Sequence, residues 1–408
     1  MKSFKGFVTE QKNTHMTHVE DAVIYGGVNG TRQAINALRD MRDMLSGYNE
    51  GSVSVKWDGA PAIFAGTDPS DGKFFVAKKG IFNKNPKVYK TKADIDADTS
   101  GDLNVKLQQA LKYLPELGIK GVVQGDFLYS KSDLSFKTIN GIKYTTFHPN
   151  TIVYAVPNRA SDQSKDILNS KIGVVWHTTY KGKSFDTMTA SYGVNVKAFK
   201  KSKNVWSQDA MLRDLTSATM SSSDTDKVNE YLDQAWSLFK QISGSVIKEL
   251  HNNTELTKLI EMYNNSMVRD QVVVTNTKRH VDGLISWIEK RYSKEMDTRK
   301  TQKGKDAVAG RLKEIIQFFS PGNKVALKKL FDLQKLIVLA KLKLINKLNN
   351  LSSVDTFVKT RKGYKTTGAE GYVAIDKIGG GALKLVDRME FSFNNFSPNV
   401  IKGWDKSS

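Results

Sequence analysis

Apolar positions change their spacing twice along this chain. Ile35, Leu38, Met41 and Leu45 recur at steps of three or four, which predicts an amphipathic helix over residues 31–45. Short apolar runs follow at 53–57, 62–65, 74–77, 121–129, 151–156 and 172–178, with Asp, Gly and Pro clustered between them. Runs bounded by turn formers, with few helices among them, predict antiparallel strands. The spacing changes again near residue 200. Val228, Tyr231, Ala235, Leu238, Ile242 and Val246 fall on one helical stripe. Asn253 or Thr254 can cap a second helix carrying Leu256, Leu259, Ile260, Tyr263 and Met267. A third helix is expected over 323–350, after the break at Pro321-Gly322, with a length on the order of 40 Å at 1.5 Å per residue. Short runs return at 371–375, 382–386 and 388–393. The pattern predicts an α+β fold: an antiparallel-sheet domain in two pieces, 1–200 and 354–408, interrupted by an all-helical insertion at 201–353.

Charge adds a partner to this picture. With histidines neutral, 62 Lys and Arg stand against 42 Asp and Glu in 408 residues, a net charge of +20. Residues 301–365 hold 15 basic and 4 acidic side chains, so 15 − 4 = +11 of that surplus lies in one stretch. A solvated helix face is one reading of such lysines. Their concentration favours a polyanion, with the helices gripping a phosphate backbone. The absence of cysteine rules out disulfides, thiolate nucleophiles and cysteine-ligated metal centres, and agrees with a reducing compartment. The first twelve residues lack the apolar segment of a secretory signal, and lysines interrupt the most apolar stretch, 325–348. Neither export nor a membrane span is expected. The expectation is a cytoplasmic monomer with a nucleic-acid partner and no membrane partner.

The segment Val55-Lys56-Trp57-Asp58-Gly59-Ala60 puts a lysine at the end of an apolar run, two residues before an Asp-Gly turn. A strand-end lysine that is partly buried among cations can attack an electrophile. Alone, the segment reads more readily as a surface lysine before a hairpin turn. Further on, in order, come Val123-Gln124-Gly125-Asp126-Phe127-Leu128, Ile152-Val153-Tyr154-Ala155-Val156, Glu370-Gly371-Tyr372-Val373-Ala374-Ile375 and Ala382-Leu383-Lys384-Leu385-Val386. This ordered set resembles the covalent nucleotidyltransferase superfamily: ATP-dependent DNA ligases, RNA ligases and messenger-RNA capping enzymes, with bacteriophage ligases the nearest comparison. Their first motif is Lys-x-Asp-Gly. The third ends in Gly-Glu or Gly-Asp after a strand, the fourth is Glu-Gly-(aromatic or apolar)-Val, and the fifth is a strand with lysines.

The resemblance implies a ligase-like adenylyltransferase domain that uses ATP and Mg²⁺, in the host cytoplasm if the gene belongs to a phage. Lys56 would attack the α-phosphate of ATP, form lysyl–AMP and release pyrophosphate. The adenylyl group would pass to a 5′-phosphate, and a 3′-hydroxyl would displace AMP to seal the strand. Glu370 and Asp126 would hold Mg²⁺, with Asp126 able to serve the ribose instead. Asp58 would support the lysine, Gly59 would border the nucleotide, and Lys384 would meet the α-phosphate. Tyr154, or failing it Trp176, would stack on adenine.

Departures from the family pattern shape the expectations further. Pro61 stands where many DNA ligases carry an arginine five positions after the nucleophile, and Lys79 of Lys78-Lys79-Gly80 is expected to replace that contact. Val386 occupies the place of a second lysine in the fifth motif, for which Arg388 could substitute. About twenty residues follow Val386, too few for the OB-fold domain of many relatives. Lys56 and Glu370 are 314 residues apart, so the helical insertion is expected to act as the nucleic-acid clamp. Nicked duplex DNA or a DNA/RNA hybrid is favoured as substrate over RNA ends. A capping-type guanylyltransferase and a non-enzymatic nucleic-acid-binding protein are the alternatives.

Other signals carry less. Asp94-x-Asp96-x-Asp98 opens like a calcium loop, but Thr99 and Val105 stand where glycine and glutamate are needed. Gly379-Gly380-Gly381 reads as a turn rather than a phosphate loop. His15 and His18, beside Glu20 and Asp21, suit a helix-start network better than a metal site. His148 and His177 have no recognisable serine-triad context.

Overall fold

The computed structural model describes residues 16–47, 53–158, 162–212, 220–351, 354–375 and 382–405. They form an α+β structure with three sheets and a helical layer. The first sheet has the order β11 (Met211–Leu212), β1 (Val53–Lys56), β14 (Gly371–Ile375) and β15 (Ala382–Leu385), all antiparallel. Its outer edge is closed from the other end of the chain. The Val19 N–H donates to Lys384 O at 3.0 Å, and the Lys384 N–H donates to Thr17 O at 3.0 Å. These bonds satisfy the groups an open edge strand would leave unpaired.

The second sheet runs β10 (Val205–Asp209), β8 (Ile172–Lys181), β4 (Val122–Ser130), β2 (Ala62–Thr67) and β3 (Phe74–Ala77), with β9 (Thr189–Tyr192) also on β8. Only β10 and β8 pair in parallel there. The third runs β13 (Gly363–Thr366), β12 (Asp355–Thr360), β7 (Ile152–Pro157), β6 (Ile142–Phe147) and β5 (Ser135–Ile139), with β16 (Val400–Ile401) on β12. The expected strands thus form within a few residues of their predicted places, except one. Residues 388–393 alternate like a strand but belong to a helix, Arg388–Phe396. The carboxylate of Asp387 accepts the Met389 and Glu390 N–H groups, and this N-cap outweighs the period-two placement of Phe391 and Phe393.

The helical middle also forms, with one division the apolar stripe did not show. Ser222–Lys240 and Gly244–Asn252 are separate helices, interrupted before Ser243-Gly244, although Ile242 and Val246 continue the spacing. Asn253 caps Thr254–Arg269 by accepting the Leu256 N–H. The long helix is continuous over Pro321–Asn349, 29 residues. Pro321 lies in its first turn, where a missing N–H costs nothing, and Ser320 caps it by accepting the Asn323 N–H. Among the described residues no helix is long and apolar enough to cross a membrane.

One core joins the helices to the first sheet. Ile35, Leu38 and Met41 of the helix Gly27–Leu45 pack in the same cluster as Leu232, Leu284, Leu330 and Ile337, together with Val53, Tyr372 and Leu385 of the sheet. The helical segment therefore shares its core with residues 19–45, which the apolar pattern had grouped with the sheet domain.

A buried ion network lies at this junction. Lys341, 1 % exposed, pairs with Glu20 Oε1 at 2.8 Å, and Gln334 Nε2 donates to the Glu20 carbonyl at 2.9 Å. Arg388 donates to both carboxylate oxygens of Asp21 at 3.1 Å. These contacts correct two expectations. Arg388 supports the fold here and is not the missing second charge of the fifth motif. Lys341 belongs to the core, while Lys343 and Lys347 pair with Asp224, and Lys328 with Asp332.

Removing one partner of a buried ion pair leaves an uncompensated charge, at a cost of about 3–5 kcal/mol. In urea denaturation, Lys341→Met is expected to lose stability in that range. Combining it with Glu20→Gln should recover part of the loss. A Lys341→Met loss no larger than that of a surface lysine would show that the pair does not hold the junction together.

Candidate active site

Strand register brings the dispersed motifs together. Lys56 ends β1 opposite Gly371, and Val373 of β14 lies opposite Lys384 of β15. Residues 371 and 373 share a face because side chains alternate along a strand, so Lys56 and Lys384 project from the same side of the sheet. The Lys56 ammonium forms an ion pair with the Glu370 carboxylate at the start of β14. Gly371 is required by close approach: a Cβ there would lie 2.6 Å from Val386 Cγ2 and 2.8 Å from the Leu385 carbonyl.

The loop after Lys56 crosses to the second sheet. Ala60 N–H donates to Phe127 O, Phe127 N–H donates to Pro61 O, and Ala62 lies opposite Asp126. The loop can sit this close because Gly59 has no side chain; its Cβ would come within 2.6 Å of Asp126 Cβ. Gly59 therefore fits the loop onto β4 beside Asp126. On the next strand, His177 Nε2 is 3.8 Å from Asp126 Oδ2. The β4–β8 register slips between Gln124 and Gly125, and His177 lies in the irregularity this creates.

Burial acts against charge of both signs in this cluster. It pushes the Asp126 carboxyl up to about 7, a rise opposed by Lys56 and Lys79 and reinforced by Glu370 and Asp58. Burial also raises the Glu370 carboxyl, against the pull of Lys56. It lowers the Lys384 ammonium, helped by repulsion from Lys56 and Lys79 and opposed by Glu370. His177 is driven down to about 4 by burial and by Lys56. Lys56, Lys79, Asp126, Glu370 and Lys384 thus lie within one another's electrostatic reach. Of the two lysines after β3, Lys78 bonds Asp98 at 3.1 Å, whereas Lys79 is exposed and has no ion-pair partner among the described residues.

Three expected roles are not the ones the structure gives. Asp58 is buried, and its carboxylate accepts from Asn150 Nδ2 at 2.6 Å and from the Thr151 and Ile152 N–H groups at 2.7 and 2.9 Å. It fastens the β6–β7 connection to the loop after Lys56 and reaches the lysine only through position. Tyr154 is 3 % exposed, its hydroxyl accepts the Asp58 N–H, and its ring packs on Trp57 and Phe147. It is not free to stack on a base. Trp176 is fully buried, with its indole N–H on Ser207. The half-exposed ring beside Lys56 is Trp57.

Asp126 and Glu370 are partly buried carboxylates of the kind that could take part in holding a divalent cation. Among the described residues no group of three or more His, Asp or Glu could hold a metal, so phosphate and water oxygens would complete its shell. Residues 94–98 belong to the helix Lys92–Asp98, capped by Thr91, and form no calcium loop. His18 bridges to Lys384 in the edge pairing, and His15 and Gly379–Gly381 lie outside the described residues. His177 and the support of the 367–370 loop by Glu390, which accepts from Thr367 Oγ1 at 2.8 Å, had no signal in the sequence. Both depend on which distant strands become neighbours.

The raised pKa of Asp126 fixes a sign for its effect on stability. Between its ordinary value of 3.8 and about 7 the folded protein holds a proton that the unfolded chain releases. The contribution is present at low pH and is lost as pH rises through about 7. Asp126→Asn should therefore gain stability relative to the parent as urea midpoints are taken from about pH 4 to about pH 8. His177 shifts in the opposite sense but is common to both proteins. A difference that stays flat over this window would mean that Asp126 remains ionised.

No curated protein and no solved structure matches this chain. The model of DUF6267, described as a family of unknown function, matches residues 13–400, and the chain belongs to that family.

Proposed function

We propose that this protein is an ATP-dependent polynucleotide ligase acting through an adenylylated Lys56. The observation that carries the reading is the meeting of Lys56, Glu370, Asp126 and Lys384 from four separated segments, in the chemical roles that covalent nucleotidyl transfer needs. Lys56 supplies the amine. Its ammonium is paired with the Glu370 carboxylate and is partly open to solvent, and its proton passes to water before attack. The free amine then attacks the α-phosphorus of ATP; the N–P bond forms and the bond to pyrophosphate breaks.

Lys384, on the same sheet face, offsets the charge that develops on the phosphoryl oxygens, and exposed Lys79 adds a second cation. Asp126 and Glu370 would hold Mg²⁺, which supplies charge neutralisation at the phosphates. In the second step a 5′-phosphate oxygen attacks the same phosphorus and returns the nitrogen to Lys56. In the third, a 3′-hydroxyl attacks the 5′-phosphorus and AMP departs. Nicked duplex DNA remains the favoured acceptor. The exposed Lys290, Lys294, Lys303 and Lys313, unpaired among the described residues, suit the helices Thr277–Thr298 and Gln302–Gln317 to phosphate contact.

The test is incubation with α-labelled ATP or GTP and Mg²⁺. The expected product is an acid-labile, alkali-stable protein adduct formed with ATP and absent from Lys56→Ala. Lys384→Ala should slow adduct formation by roughly 10²- to 10³-fold, the scale of losing one charge-stabilising group. A GTP-only adduct would favour capping chemistry. No adduct with either nucleotide would remove the enzymatic reading.

A further inference from the structure

A second basic surface lies on the sheet that carries Asp126, away from the helical layer. The helix Gly101–Tyr113 packs over β4 and β8, and an open groove of about 860 Å³ is lined by that helix and by residues 131, 132 and 171 at the ends of those strands. Exposed Lys112, Lys131 and Lys171 line it, with Gln108, Gln109 and Tyr113 between them. Lys131 and Lys171 are held side by side by the backbone, since Lys131 N–H donates to Lys171 O at 2.8 Å. None of the three lysines has a carboxylate partner among the described residues. Lys92, also at the groove, is neutralised by Asp96. Asp133, two residues beyond Lys131, accepts from the Ser130 N–H and hydroxyl. No carboxylate lines the groove among the described residues.

The helix that walls the groove also touches the loop of the candidate active site. Lys106, one turn before Gln109 on that helix, donates to the Ala60 carbonyl in the loop after Lys56 at 3.4 Å. Along β4, Ser130 lies four residues beyond Asp126, about 13 Å at 3.3 Å per residue. Among the described residues no carboxylate neutralises the groove's three exposed lysines; the Lys131 ammonium donates to the Leu168 carbonyl and the Lys112 ammonium lies over the Tyr113 ring, so both keep their positive charge at the groove. Its open form and unopposed positive charge suit a polyanion, and the neutral amides of Gln108 and Gln109 stand ready for sugar and phosphate oxygens.

We infer that this groove binds the phosphodiester backbone of the nucleic acid flanking the end presented to Lys56. The inference rests on the ligase reading for what is joined, but not for the binding itself. The groove, rather than the long helix, where Lys328, Lys341, Lys343 and Lys347 are paired with carboxylates, is the main grip next to the site. An acidic protein segment is the competing occupant, and the test separates the two.

The experiment measures anisotropy of a fluorescein-labelled nicked DNA duplex, and of single-stranded RNA of the same sequence, across a salt series. It compares the parent with Lys112→Glu/Lys131→Glu/Lys171→Glu and with the corresponding triple glutamine variant. Glutamine guards against misfolding caused by reversed charge. At physiological salt the glutamate variant should bind at least about tenfold more weakly. The slope of log affinity against log salt should fall by about one for each phosphate that is no longer neutralised. Lysyl–AMP formation, which needs no nucleic acid, is read in parallel. Lost binding with adduct formation intact supports the groove and the ligase reading together. Lost binding in a protein whose parent forms no adduct keeps the groove and removes the ligase reading. Parent-like binding and salt slope in both folded variants would overturn the inference and leave the groove to an acidic protein partner.

Discussion

The pairing of β1 with β14 is the constraint on which the rest depends. It sets Lys56 opposite Gly371 and so brings the Lys56 ammonium against the Glu370 carboxylate, across 314 residues of chain. Everything else in the first sheet follows from that register. β15 adds Lys384 on the same face, and residues 17–19 close the edge beside it. Segments near the two ends of the chain must meet before the site exists, and the buried network of Glu20, Asp21, Lys341 and Arg388 holds that meeting in place. Such long-range pairing comes at the expense of loop-closure entropy, and the shared core of helices and sheet supplies the compensating burial.

The chemistry of the cluster follows from desolvation. Two carboxylates drift upward, one ammonium and one imidazole drift downward, and in each case burial is the largest cause. A cluster in which these members are driven towards their neutral forms is poorly satisfied by its own charges alone. An anionic phosphate with an accompanying divalent cation would satisfy lysines and carboxylates at once. That is the physical argument behind the proposal that the site takes a nucleotide.

Much of this was legible in the sequence, and its limits were consistent. Strands between turn formers, the capped helix after Asn253 and the continuous helix from Pro321 could be read because their signals are local. The co-location of Lys56, Asp126, Glu370 and Lys384 was legible only through the ordered motifs. What could not be read was which face or neighbour a residue would meet. Tyr154 and Trp176 looked like stacking platforms and are core residues. Asp58 looked like an assistant to the lysine and is a clamp on the 150–152 backbone. Residues 388–393 alternated like a strand until Asp387 capped them as a helix. The basic charge of the middle segment looked like one surface, whereas Lys341 is internal and Lys328, Lys343 and Lys347 pair within the helical layer.

Whether the Lys56 side-chain nitrogen is the nucleophile can be read by covalent site mapping. After incubation with ATP and Mg²⁺, the protein would be digested under alkaline conditions and its peptides sequenced by tandem mass spectrometry. One adenylyl group is expected, carried by Lys56 through its side-chain nitrogen. An adenylyl group on Lys79, Lys384 or any other residue while Lys56 stays unmodified would contradict that assignment.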